Sequence, residues 1–188
     1  MKKLILVLAI LLMTVGSAFC AKFEETKIAA EQGDAEAQFS LSERYYFGNG
    51  VRKDHQQSVY WLQKAAEQGY VMAQSYLAVR YNTGEGVDQN YEQAFYWWQQ
   101  AANQGYALSQ SCLADCYYHG LGVPVDYVQS YMWCQISFTL GEEFVKSATT
   151  ETLRRLKSKI TEDQIAQGQK LADEWLEEFK AKQQPQPE

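Results

Sequence analysis

The sequence is short of residues that break helices and of residues that carry out chemistry. Only 3 of its 188 residues are proline, so long uninterrupted helices are permitted. Its 2 histidines leave little material for proton shuttling or a histidine-rich metal cage. Lys and Arg number 17 against 23 Asp and Glu, with no basic stripe, which argues against a nucleic-acid groove. The longest apolar run, Leu4 to Met13, falls short of the roughly 20 residues that cross a bilayer. Ser-x-x-Lys, Gly-x-Ser-x-Gly, His-Glu-x-x-His, phosphate-cradling loops and dinucleotide fingerprints are all missing, so the common signatures of hydrolases and nucleotide enzymes do not apply.

What is present begins with an export signal. Lys2 and Lys3 precede the apolar run, and Gly16, Ser17 and Ala18 follow it. This order predicts a signal peptide over 1–20 with cleavage near 18–21. A lipoprotein would place a small residue before its acylated cysteine, whereas Phe19 precedes Cys20. Without Lys2 and Lys3, 15 basic residues remain against 23 acidic ones, a net charge of −8. The expectation is a periplasmic or secreted protein with no stable membrane insertion once the signal is removed.

Self-similarity then sets the fold. Gly33, Gly69, Gly105 and Gly141 are 36 residues apart, and the units between them superimpose without a gap. Ala37-Gln38, Ala73-Gln74 and Ser109-Gln110 align, as do Leu41, Leu77 and Leu113, and Tyr45, Tyr81 and Tyr117. Three Gly-x-Gly-Val segments follow, at 48–51, 84–87 and 120–123, and then Trp61, Trp97 and Trp133. Each unit reads as two helices. The first has an apolar stripe at four-residue spacing, stopped by glycine in the left-handed region. The second opens on Asp54, Asn90 or Asp126, three residues before Gln57, Gln93 or Gln129, a relative of the capping box. The three tryptophans and Tyr45, Tyr81 and Tyr117 are expected in the core.

The expected organisation is a half repeat at 22–33, repeats at 34–69, 70–105 and 106–141, and capping helices over 142–182. The period is lost beyond Gly141: residues 142–160 read as a helix, and Thr161 with Gln164 opens another to about Lys182. That last helix has an apolar face of Ile165, Leu171, Ala172, Trp175 and Phe179. Residues 183–188, with Pro185 and Pro187, read as a disordered tail.

The pattern Ala-x-Ala-Gln-x-x-Leu-x-x-x-Tyr-x-x-Gly-x-Gly-Val, then Asp, Ala-x-x-Trp and Ala-Ala-x-x-Gly, resembles the Sel-one-like repeat, a relative of the tetratricopeptide repeat. The resemblance covers residues 29–141. It implies an all-α, right-handed α/α superhelix, a solenoid of helix–turn–helix repeats with atypical N- and C-terminal capping helices. It also implies an adaptor that binds a protein or peptide and defines no catalytic residue and no cofactor. Some secreted relatives are linked to β-lactam binding or hydrolysis; they carry cysteine pairs eight apart in each repeat, which this chain lacks.

In such solenoids the first helices line the concave face. Their inward positions are Leu41 and Tyr45, which leaves the face to positions 39, 43, 46 and 47 and their equivalents. The candidate partner-binding residues are therefore Phe39, Glu43, Tyr46, Phe47, Val79, Asn82, Asp115, Tyr118 and His119. Aromatic and acidic side chains together suit an extended peptide or a partner with basic character. A metal site drawing on His119 with Cys112 or Cys116 lacks a third convergent ligand. For the cysteines, a hairpin hinged near residue 122 brings Cys134 opposite Cys112, giving a candidate disulfide; Cys116 as the partner and buried free thiols are the alternatives.

Overall fold

The computed structural model describes residues 22–184. The expected signal peptide at 1–20, with Cys20, and residues 185–188 of the expected tail lie outside the described residues. Within them the chain is all helix: α1 (22–31), α2 (Ala35–Phe47), α3 (His55–Glu67), α4 (Val71–Thr83), α5 (Tyr91–Asn103), α6 (Ala107–His119), α7 (Tyr127–Leu140), α8 (Glu143–Leu156) and α9 (Glu162–Gln183). Gln183, the expected first residue of the tail, is still helical. The described residues form two compact units, 22–73 with 85–87, and 74–84 with 88–184.

In the first unit α1 packs on the hairpin of α2 and α3 through Phe23, Ala30, Leu41 and Trp61, with Tyr45 and Val51 at the margin. The hairpin is fixed by backbone chemistry at its turn. The Gly48 N–H, at φ 77°, donates to the Arg44 carbonyl at 2.9 Å, satisfying an otherwise orphaned helix end. The Asp54 N–H then donates to the Tyr45 carbonyl at 2.9 Å, and its carboxylate accepts from the Gln57 N–H at 3.0 Å. Asn90 and Asp126 repeat both bonds in the second unit, to the Tyr81 and Tyr117 carbonyls and from Gln93 and Gln129.

The second glycine of Gly-x-Gly-Val has a different task. A Cβ on Gly86 would overlap the His55 carbonyl, and one on Gly122 the Tyr91 carbonyl. These turns ride directly on the first residue of the preceding repeat's second helix, so only glycine fits.

A buried glutamine ties successive helices in each unit. The Gln38 side-chain amide donates to the Ala30 carbonyl at 3.1 Å, and its oxygen accepts from the Gln68 amide at 2.8 Å. In the second unit Gln110 donates to the Ala102 carbonyl at 3.1 Å, and Gln74 accepts from Gln104 at 2.8 Å. The residue 30 positions beyond Gln110 is Leu140 rather than glutamine, and Gln110 Oε1 is buried without a hydrogen-bond partner.

The second unit has its core in Ala94, Trp98, Leu113, Trp133, Cys134, Ile136, Leu156, Ala172 and Leu176. Here one expectation is corrected: Trp97 is half-buried, and its neighbour Trp98 is the indole enclosed. Positions 62, 98 and 134 are all buried, so α5 encloses a tryptophan where α3 and α7 have Leu62 and Cys134. Tyr45, Tyr81 and Tyr117 are likewise only partly buried; they flank the core rather than fill it.

The helices keep the period that the sequence loses. First helices begin at residues 35, 71, 107 and 143, steps of 36. In α8, Val145 and Thr149 are buried at the positions Ser109 and Leu113 occupy in α6. α8 and α9 are thus a fourth hairpin. Leu156, fully buried, replaces the glycine turn, and the path to α9 shortens. A true capping box opens α9: the Thr161 hydroxyl accepts from the Gln164 N–H at 3.3 Å, and the Thr161 N–H donates to Gln164 Oε1 at 2.9 Å. Gly168 lets α9 approach Tyr131 and the Val128 carbonyl of α7. Trp175 meets Trp133 edge-on at 5.7 Å and stacks on Phe179 at 4.9 Å, closing the end of the core.

Candidate partner-binding face

On each first helix the buried arc includes the glutamine and leucine positions (38 and 41 in α2), so the opposite stripe at 36, 40, 43 and 47 faces solvent. The stripe in α2 is Glu36, Ser40, Glu43 and Phe47, with Phe47 62% exposed. A hollow of about 380 Å³ opens beside it, lined by Lys22, Ser40, Glu43, Arg44 and Asn49. Partial burial raises the Glu43 pKa above the ordinary carboxylate value.

Two expected members of the α2 face serve packing instead. Phe39 is 7% exposed, with its ring 5.4 Å from that of Tyr70; position 39 lies at the edge of the buried arc, next to Gln38 and Ser42. Tyr46 is a partly buried post. Its hydroxyl donates to the Glu85 carboxylate at 3.1 and 3.3 Å, and its ring meets the edges of Phe47 at 4.8 Å and His55 at 4.9 Å. His55 Nε2 lies 3.9 Å from Glu85 Oε1. This cluster fastens the end of α2 to the start of α3 and to the 85–87 segment.

In the second unit the equivalent positions are Tyr76, Val79 and Thr83 on α4, and Leu108, Cys112, Asp115 and His119 on α6. Tyr76 and Leu108 are exposed, and neither was among the expected residues. Val79 is half-buried against the core, and Asn82 is half-buried with its backbone carbonyl accepting from the Gln89 amide at 2.7 Å. Tyr118 is held between His119 at 4.8 Å and Tyr127 at 5.6 Å. Asp115 keeps an open edge to water and accepts from the Thr152 hydroxyl at 3.1 Å. Desolvation by its neighbours raises its pKa, outweighing the opposing pull of Thr152, His119 and Arg155.

The disulfide expected between Cys112 and Cys134 is not formed: Cys112, Cys116 and Cys134 are free thiols. Cys116 and Cys134 are core side chains of the α6–α7 interface, while Cys112 is half-buried against the same core. Burial pushes the Cys112 and Cys116 thiols up to about 12 and Cys134 higher still. They remain protonated and poorly nucleophilic at neutral pH. Among the described residues no three His, Cys, Asp or Glu side chains converge to hold a metal ion, and no helix is long and apolar enough to cross a membrane.

The family model of the Sel1 repeat matches residues 35–70, 71–106 and 107–142. No curated protein matches. Among solved structures, a Sel1 repeat protein from Oxalobacter formigenes is 33% identical with a TM-score of 0.63, over 69% of this chain and 98% of that one. The second, c5321, a protective antigen present in uropathogenic Escherichia coli strains and displaying an SLR fold, is 27% identical with a TM-score of 0.63, over 88% of this chain. This chain spans only 44% of that longer protein. With three consecutive repeats matched across more than half its length, the chain belongs to the Sel1 repeat family.

Proposed function

We propose that this protein is an exported scaffold that binds a protein or peptide through the solvent stripes of its first helices and performs no chemistry itself. Sel1 repeats are commonly protein-interaction scaffolds and generally non-catalytic. One observation carries the reading. The leucines of the core repeat at 41, 77 and 113, whereas the solvent-facing positions change from Glu36, Ser40, Glu43 and Phe47 to Tyr76 and Thr83 and then to Leu108, Asp115 and His119. Packing demands sameness; a surface that no packing role holds alike is available to fit one partner. Exposed large side chains such as Phe47 and Tyr76 are of the kind that anchor interfaces.

Export rests on the basic start, apolar run and small residues of 1–20, and places the protein in the periplasm or outside the cell. Cross-linking in intact cells, followed by mass spectrometry, tests both parts. The native chain should capture a defined partner from the periplasmic fraction, and Phe47→Ala with Tyr76→Ala should lose it while helicity by circular dichroism is kept. Capture that survives both substitutions, or recovery of the protein only from cytoplasm, would refute the corresponding half.

A further inference from the structure

No further inference is drawn: the strongest candidate, the apolar hollow of about 380 Å³ between the first turns of α6 and α8 with Leu108 and Phe144 exposed at its rim, carries nothing, because nothing in the structure shows what covers it.

Discussion

The buried glutamines offer a sharp comparison, because two of them occupy equivalent positions with unequal partners. Gln38 is 4% exposed and makes two side-chain bonds, to the Ala30 carbonyl and from the Gln68 amide. Gln110 is fully buried and makes one, to the Ala102 carbonyl, while its Oε1 has none. The Ala30 and Ala102 carbonyls also accept the Gly33 and Gly105 N–H groups, so removing the side-chain donor leaves neither bare. Gln38→Leu, of nearly the same shape, should forfeit two bonds, about 2 kcal/mol in all. Gln110→Leu forfeits one bond, about 1 kcal/mol, but also removes a buried unsatisfied oxygen that costs about 1–3 kcal/mol. The net effect at 110 should be neutral or stabilising, so the two variants should differ by about 2–4 kcal/mol. Urea unfolding followed by circular dichroism measures this, with tryptophan fluorescence as a second probe that detects separate transitions of the two units. A cost at Gln110 equal to or above that at Gln38 would refute the reasoning, by showing that the Gln110 oxygen is satisfied.

Gly86→Ala and Gly122→Ala should each destabilise by more than about 1 kcal/mol, because the new methyl group meets a backbone carbonyl as well as an unfavourable φ of 82° or 72°. Gly33→Ala, at φ 98° with nothing within reach of its Cβ, should cost less, and thermal melts showing the reverse order would discard the close-approach argument. Acid titration should separate Asp115 of α6 from Glu151 of α8, whose carboxylate accepts from Arg154 and Arg155. Glu151 has a lowered folded pKa, so its small, solvent-screened contribution is present above pH 4.5 and lost as pH falls toward about 2. Asp115 has a raised one, so its ionisation opposes folding as pH rises above 3.8. Asp115→Asn should therefore melt at or above the native temperature at pH 7 and converge with it near pH 3. A variant that melts lower at pH 7 than at pH 3, relative to native, would contradict the sign.

Part of this protein could be read directly from its residues, and the reason is local. Helix ends are settled within a few residues by Asp54, Asn90 and Asp126 as caps and by glycines that take positive φ, so the hairpins and their 36-residue pitch were visible in one dimension. Thr161 and Gln164 announced α9 in the same way. The glutamines at 38, 74 and 110 were visible as repeats but not as ties, because their partners lie 8 and 30 residues away. Phe39 was misplaced since the helical wheel gives direction only; whether a residue at the edge of the buried arc is covered depends on a neighbour, here Tyr70.

What the sequence alone determined is the period, the caps, the glycine turns and the leucines of the core, all of which follow from backbone sterics and hydrogen bonding within one unit. Tertiary structure decided which face was left over. It enclosed Trp98 rather than Trp97, left the three thiols free, and placed α8 in register as a further first helix although its residues no longer repeat. The physical reason is that burial belongs to pairs of surfaces: side chains that no repeat holds alike acquire a role only when neighbouring helices cover one side of them and leave the other open.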